Sequence, residues 1–216
     1  MVQSPNTPTI FYITNPMCAW CYGFTYVVRR LAALWQGRLQ VQVQLGNLQA
    51  YNTEPLKREE RERLATNWHW VQQRTHLPFD FRFFLQKNYV FSTEPACRAL
   101  LCMRLLRPVL TLEVLRAMHS AFFADGQDLT DTAVLVKIAG LFGVSENLFL
   151  ALFESDEVMQ QLDDEFEATA ALGATNFPSV YLRTRQGTEL ISKGFCQLPE
   201  LETRLLERLR QGVVVL

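Results

Sequence analysis

Two stretches near the N-terminus and two near the C-terminus have the hydrophobic patterns of β-strands. The unbroken apolar run at residues 9–13 predicts a short buried strand. In residues 39–45, Leu and Val alternate with Gln, which is the period of two expected for a strand with one solvated face. Residues 179–182 and 189–192 flank Arg185-Gln186-Gly187, and this combination predicts a β-hairpin.

Between and after these strands, apolar residues recur at the spacing of three and four that is typical of helices. One helix follows the first strand, and another, with Leu198 and Leu205 on its apolar stripe, closes the chain. From residue 51 to residue 173 the pattern predicts helices alone. Matching start signals, a hydroxyl residue followed by Glu and Pro, stand at 53–55 and 93–95. Leucines that we expect on the buried stripes of this block are Leu64, Leu101, Leu105, Leu112, Leu115, Leu135, Leu141, Leu148, Leu152 and Leu162.

The predicted order is strand-helix-strand, then a helical block, then strand-strand-helix. A two-stranded piece of sheet is not stable by itself, so the two ends of the chain must form one sheet. We therefore predict an α/β fold in which residues 1–50 and 174–216 form one domain. Residues 51–173 are then an all-helical insertion into that domain.

Composition and charge exclude several classes of partner. The chain has 216 residues, 49% of them hydrophobic, with a formal net charge of −1. Positive and negative residues are mixed along it, which gives no indication of binding to nucleic acid or to an anionic membrane. No apolar run is long enough to cross a bilayer. The first eight residues lack the basic start and apolar core of a secretory signal, so we expect a cytoplasmic protein.

The candidate chemistry lies at the junction of the first strand and the first helix, where Cys18 and Cys21 are separated by two residues. A Cys-x-x-Cys pair beside a βαβ pattern is typical of a redox site. At a helix start, unpaired N–H groups and the helix dipole favour the thiolate, which is the nucleophile. We therefore expect Cys18 to attack a disulfide and Cys21 to resolve the mixed disulfide that forms.

Two other interpretations of the cysteine pair are open from the residues alone. The pair could be half of a structural zinc site, although such sites usually have four ligands and the chain has no second Cys-x-x-Cys. It could also be two buried thiols with no role. The remaining cysteines, Cys97, Cys102 and Cys196, are expected to be reduced packing residues. The three histidines, His69, His76 and His119, are expected at the surface or at the edge of the core.

Residues 15–24, Asn-Pro-Met-Cys-Ala-Trp-Cys-Tyr-Gly-Phe, resemble the signature of bacterial predicted protein-disulfide isomerases of the DsbA type. The predicted order of elements also resembles the DsbA branch of the thioredoxin fold, with its helical insertion. The resemblance implies that Pro178 follows a cis peptide bond and faces the cysteine pair. A cis bond there would expose the backbone of Phe177 to an extended peptide. We expect Met17, Trp20, Phe177 and Pro178 to contact the substrate.

The residues between the cysteines differ from those of DsbA, which has Pro-His where this chain has Ala19-Trp20. Because the positive charge of the histidine is missing, we expect a less oxidising pair. The resemblance implies a thiol-disulfide oxidoreductase that acts on protein or peptide thiols and disulfides. Glutathione or a thioredoxin-type reductant is the expected redox partner, and no metal or organic cofactor is required. The alternatives are a glutathione-dependent transferase or isomerase of small aromatic substrates, and a groove-binding protein without turnover.

Overall fold

A four-stranded sheet lies at the centre of the structure, a computed structural model that describes residues 7–211. Strands β1 (Thr9–Thr14), β2 (Gln40–Leu45), β3 (Ser179–Thr184) and β4 (Gly187–Lys193) are arranged in the order β2-β1-β3-β4. β1 is parallel to β2 and antiparallel to β3, and β3 is antiparallel to β4. The two ends of the chain therefore form one sheet, as predicted. Residues 1–6, which supply most of the evidence against a signal peptide, lie outside the described residues.

Two helices pack together beside this sheet, and the others lie between β2 and β3 in the sequence. Helix α1 (Ala19–Leu34) packs against helix α8 (Leu198–Gln211), which in turn contacts β4. The block between β2 and β3 is helical, as predicted, and consists of α2 (Arg58–Thr75), α3 (Glu94–Leu106), α4 (Thr111–His119), α5 (Thr132–Leu141), α6 (Glu146–Phe153) and α7 (Asp156–Ala171). It also contains short 3-10 turns at Phe81–Leu85 and Pro108–Leu110, and a π-helical turn at Ser120–Ala124, which the periodicity did not predict.

One of the two predicted helix starts is correct. Thr93 directly precedes α3, but the signal at 53–55 does not open a helix. Pro55 instead forms an isolated antiparallel bridge with Val90. Helix α2 begins after Lys57, whose backbone N–H donates a hydrogen bond of 2.9 Å to the side chain of Glu60. A tertiary backbone contact therefore overrides the local start signal.

Several leucines that we expected in the core are exposed. Leu105 is 48%, Leu141 78% and Leu148 48% exposed. In α6 the buried side chains are Phe149 and Phe153, one position away from the predicted stripe. Periodicity defines an apolar face to within about one residue, and packing decides which neighbour is buried.

The helical block is attached to the sheet through a continuous core and through the edge strand β2. One cluster of buried side chains includes Ile10 and Val180 of the sheet together with Trp68, Phe122 and Phe149 of the block. Because this core is continuous, the division into residues 1–50 with 174–216 and residues 51–173 stays a prediction.

At the edge of the sheet, the guanidinium of Arg104 donates a hydrogen bond of 2.7 Å to the carbonyl of Val43. The carboxylate of Glu165 accepts one of 2.6 Å from the N–H of Leu45, and Arg104 and Glu165 are themselves paired. Side chains of α3 and α7 thus satisfy backbone groups that an edge strand would otherwise leave open.

Candidate active site

Cys18 is the N-cap residue of α1 and lies at the bottom of a groove. Its sulfur accepts a hydrogen bond of 3.3 Å from the N–H of Cys21. On the other side, its thiol is 3.7 Å from the carbonyl oxygen of Phe177, to which it donates. Only 7% of Cys18 is exposed. The structure therefore places Cys18 at the helix start, where the sequence predicted it, with one of its faces directed at the loop before β3.

Cys21 lies one turn further along α1 and is fully buried. Burial raises the pKa of its thiol well above the ordinary value, and the adjacent sulfur of Cys18 raises it further. The hydroxyl of Thr14 and the backbone of Asn15 act in the opposite direction and favour the thiolate. The Thr14 hydroxyl is itself buried, and it makes no hydrogen bond of standard geometry with another described residue. Cys21 is thus held as a protonated thiol behind Cys18.

The loop before β3 faces the cysteines. The bond between Phe177 and Pro178 is cis, as the resemblance implied, and Pro178 is buried. The ring of Phe177 lies so close to the backbone of Gly46 that a Cβ atom at Gly46 would overlap it. The absence of a side chain at Gly46 therefore allows Phe177 to reach its position beside Cys18.

A groove of about 660 Å³ opens above Cys18. Its lining combines the predicted contact residues Met17, Trp20 and Phe177 with residues of the helical block. The indole Nε1 of Trp20 donates a hydrogen bond of 2.8 Å to Oδ1 of Asn67 in α2. The helical block thus forms one wall of the groove. Pro178 and Cys21 are not part of this lining.

Asn15 connects the active-site loop to Gly46, which follows β2, and to the first turn of α3. Its side-chain amide is 3.0 Å from the carbonyl of Gly46 and 3.1 Å from the hydroxyl of Thr93, and it is 3.3 Å from the sulfur of Cys97. Its Oδ1 accepts a hydrogen bond of 2.9 Å from the N–H of Met17. Because Asn15 is fully buried, these bonds hold the residues that precede Cys18 in place.

A second buried polar group, His119, lies beneath the same loop. Its Nε2 is 3.3 Å from the carbonyl of Asn15, and its Nδ1 is 3.3 Å from the hydroxyl of Thr25. The hydroxyl of Tyr12 donates a bond of 3.1 Å to the carbonyl of Cys21 and lies 3.0 Å from Thr25. Burial lowers the pKa of His119 to about 3, so the imidazole is neutral. These hydrogen bonds hold two backbone carbonyls in place, that of Asn15 ahead of the Cys-x-x-Cys turn and that of Cys21 at its end.

The histidine prediction is thus wrong for His119, which is completely buried, and correct for the other two. His69 and His76 are exposed. The sequence offers no signal that separates the three histidines, because each lies in or next to a predicted amphipathic helix. Asn15, Asn67 and Gly46 were likewise not predicted as site residues, since nothing local to them indicates which distant group they contact.

The other cysteines are buried free thiols, as expected. Cys97 and Cys102 lie in α3, and Cys196 lies against the hydroxyl of Ser192 at 3.2 Å. Burial raises the pKa of all three thiols. Within residues 7–211, no three His, Cys, Asp or Glu side chains are grouped closely enough to bind a metal ion. None of the helices in that range is long and apolar enough to span a membrane.

Comparison with known families and structures agrees with this geometry. The profile of the DSBA-like thioredoxin domain matches residues 12–205. A proposed protein disulfide isomerase from Nitrosomonas europaea is 31% identical, with a TM-score of 0.89 over 95% of this chain and 98% of that one. A search among curated proteins returned no match.

Two more distant structures share the fold. Cytosolic disulfide reductase DsbM from Pseudomonas aeruginosa is 22% identical and has a TM-score of 0.76, over 94% of this chain and 99% of its own. The same protein has also been solved with glutathione, and that structure has a TM-score of 0.74. A 2-hydroxychromene-2-carboxylate isomerase is 10% identical, with a TM-score of 0.67 over 95% of this chain and 98% of its own. At these identities the likeness concerns the fold alone.

Proposed function

Because this chain belongs to the DSBA-like thioredoxin domain family, we propose that it is a thiol-disulfide oxidoreductase whose redox centre is the pair Cys18 and Cys21. The observation that carries this proposal is the position of the Cys18 sulfur. It lies at the start of α1, opposite the carbonyl of Phe177, at the base of an open groove. A disulfide that enters the groove would meet this sulfur first, while Cys21 stays buried behind it.

The reaction proceeds in two exchanges. The thiolate of Cys18 attacks one sulfur of the substrate disulfide, the bond from Cys18 to that sulfur forms, and the other substrate sulfur leaves as a thiolate. Cys21 then loses its proton and attacks the Cys18 sulfur, which releases the second substrate thiol. Two electrons pass from the cysteine pair to the substrate, and the two thiol protons go to the departing sulfurs. The reverse sequence oxidises a dithiol.

The geometry gives each cysteine a distinct part in this scheme. Cys18 lines the groove, although only 7% of it is exposed, and its sulfur accepts a hydrogen bond of 3.3 Å from the N–H of Cys21. Burial raises the pKa of Cys21, so its thiol stays protonated until the mixed disulfide has formed. This difference favours attack by Cys18 on the external disulfide and resolution by Cys21.

The proposal includes the partners and the compartment. The electrons are carried by the cysteines, so we propose that no metal or organic cofactor takes part. Substrates are protein or peptide thiols and disulfides, with glutathione or a thioredoxin-type reductant as the redox partner. We propose a cytoplasmic location, which is supported by the similar fold of the cytosolic disulfide reductase DsbM from Pseudomonas aeruginosa.

A second candidate is a glutathione-dependent isomerase or transferase of small aromatic substrates. The aromatic lining of the groove, with Trp20, Trp70 and Phe177, favours this class, and the chromene carboxylate isomerase has the same fold. A protein that binds a ligand in the groove without turnover is the third possibility. Both alternatives predict that the protein keeps its activity or its ligand binding when Cys21 is replaced.

The test is the redox equilibrium of the purified protein in a series of glutathione buffers, with free thiols counted by mass after labelling. The proposal predicts a reversible two-electron transition that is lost in Cys18→Ser. In Cys21→Ser, mixed disulfides on Cys18 should accumulate, because no thiol resolves them. If no disulfide forms between Cys18 and Cys21 in any buffer, the redox proposal is wrong. Turnover of a small aromatic substrate by Cys21→Ser would then favour the isomerase.

A further inference from the structure

The groove above Cys18 is largely apolar and contains one ionisable side chain besides Cys18. Its apolar lining consists of Met17, Ala19, Trp20, Leu48, Leu64, Trp68, Trp70, Phe91 and Phe177. The uncharged polar lining residues are Gln49, Thr66 and Asn67, and the charged one is Arg63. A groove of about 660 Å³ falls within the range of roughly 300–1,000 Å³ that is typical of small-molecule sites.

Arg63 differs from the other arginines of α2, each of which is engaged within the protein. Arg58 pairs with Glu62 at 2.8 Å. Arg61 donates to two backbone carbonyls, at 3.2 and 3.3 Å, and Arg74 lies over the ring of Phe195. Arg63, by contrast, is exposed, and its guanidinium makes no ion pair or hydrogen bond with any other described residue. The ion pair that its spacing from Glu59 would allow is not formed. Its guanidinium is therefore available to a ligand.

The chemistry of the site makes this charge significant. A reactive Cys18 carries a negative charge at the base of the groove, and that charge repels an anionic disulfide. A guanidinium at the wall of the groove offsets this repulsion and can bind a carboxylate through two parallel hydrogen bonds. The apolar and aromatic wall around it favours a flat or apolar group next to the reacting sulfur.

We infer that Arg63 makes the groove selective for disulfides of peptides or smaller molecules that carry a carboxylate near the sulfur. This inference rests on the proposed redox function and specifies its substrate class. In the first exchange, the carboxylate pairs with Arg63 while Cys18 attacks the nearer sulfur, and the other half of the substrate leaves as a thiolate. Arg63 takes no proton and no electron, so the electron balance of the exchange is unchanged.

The test compares two aromatic disulfides that differ in charge. Dithiobis(nitrobenzoate) carries carboxylates, dithiodipyridine is neutral, and each releases an absorbing thiol when reduced protein attacks it. The rate constants of wild type and of Arg63→Gln are measured with both probes. For each probe, the rate constant of the variant is divided by that of the wild type. This ratio does not depend on the intrinsic reactivity of the probe. Arg63→Lys keeps the charge without the bidentate geometry and should lose part of the effect.

We expect Arg63→Gln to slow the anionic probe by roughly threefold to tenfold, the range of an exposed charge-assisted contact, and the neutral probe by less than about twofold. Arg58→Gln, which removes an equal charge on the same helix outside the groove, should change neither rate by more than about twofold. Equal slowing of both probes would mean that Arg63 acts on the reactivity of Cys18, and it would overturn the inference. Unchanged rates would also overturn it.

A second pair of measurements identifies the source of the carboxylate. The same variants are tested with oxidised glutathione and with a short peptide disulfide that has Asp beside its cysteine. If Arg63→Gln reacts more slowly than the wild type with either substrate, and Arg58→Gln does not, the result supports the inference and identifies the natural class of substrate. Unchanged rates with both substrates contradict it. The proposed function is scored separately. If the wild type reacts with the neutral probe but forms no Cys18–Cys21 disulfide by mass, that function fails whatever the charge selectivity.

Discussion

The indole of Trp20, between the two cysteines, is hydrogen-bonded to the side chain of Asn67 in helix α2 at 2.8 Å. The bond joins the redox motif to the helical block that lies between β2 and β3 in the chain. Trp20 also packs against Phe195, with ring centroids 5.7 Å apart. The side chain that separates Cys18 from Cys21 is therefore positioned by residues on both sides, and the groove depends on this arrangement.

The bond between Trp20 and Asn67 should be measurable as a coupling energy. We expect Asn67→Ala and Trp20→Phe each to lower the free energy of unfolding, and the double variant to lose about 1 kcal/mol less than the sum, because both remove the same bond. Urea denaturation of the four proteins, under reducing conditions, gives this number. Trp70→Phe is a matched control in the same groove, since Trp70 is 59% exposed. Strict additivity would show that the bond contributes nothing.

Gly46 should be required for the placement of Phe177. A Cβ atom at Gly46 would overlap the phenyl ring, so Gly46→Ala must displace the ring from its place beside Cys18. We expect a loss of about 1–3 kcal/mol in the free energy of unfolding and a slower reaction of Cys18 with neutral disulfides. Adding Phe177→Ala should recover most of the stability, because it removes the ring that clashes.

The control for this prediction is Gly140→Ala. Gly140 lies in helix α5 with open space around it, and alanine there should stabilise the protein by up to about 1 kcal/mol. Failure of Phe177→Ala to rescue Gly46→Ala would show that the glycine is needed for another reason.

The buried His119 should make stability depend on pH. Its pKa is lowered to about 3 in the folded protein, whereas the unfolded chain binds a proton below about 6.5. The unfolded state therefore binds more protons between these values, and stability falls as the pH decreases through 6.5 toward 3. Between about pH 7.5 and about pH 5, we expect this group to lower the free energy of unfolding by about 2 kcal/mol. Urea denaturation at a series of pH values measures the change.

His119→Gln should remove most of this pH dependence while lowering stability at neutral pH through the loss of its hydrogen bonds to Asn15 and Thr25. His76→Asn is the control. His76 is exposed and has a positive φ of 58°, which asparagine tolerates, so the pH dependence should stay as in the wild type. An unchanged slope in His119→Gln would assign the dependence to another group.

Thr14 should assist the resolving step. Its buried hydroxyl favours the thiolate of Cys21, so Thr14→Val should raise the pKa of Cys21 and prolong the lifetime of the mixed disulfide on Cys18, by roughly threefold or more. Stability should change little, because valine has the same shape and the hydroxyl has no well-formed partner among the described residues. Rapid acid quenching followed by mass measurement gives the lifetime. A lifetime equal to that of the wild type would exclude this role for Thr14.

The sequence by itself determined the local features of this protein. The position of Cys18 at the start of α1 follows from a buried strand that ends a few residues before an amphipathic helix. The single sheet follows because neither pair of strands is stable alone. These conclusions need only neighbouring residues and general rules of secondary structure, and the structure confirms both.

Only the tertiary structure decided what surrounds the cysteines. The contact of Gly46 with Phe177 depends on how the loop after β2 meets the loop before β3 at one end of the sheet. The burial of His119 and the place of Arg63 in the groove wall depend on how the helical block packs against the sheet. Periodicity defines which face of a helix is apolar, but it does not define which distant group that face meets. The same limit explains why Leu148 is exposed while Phe149, one residue later, is buried.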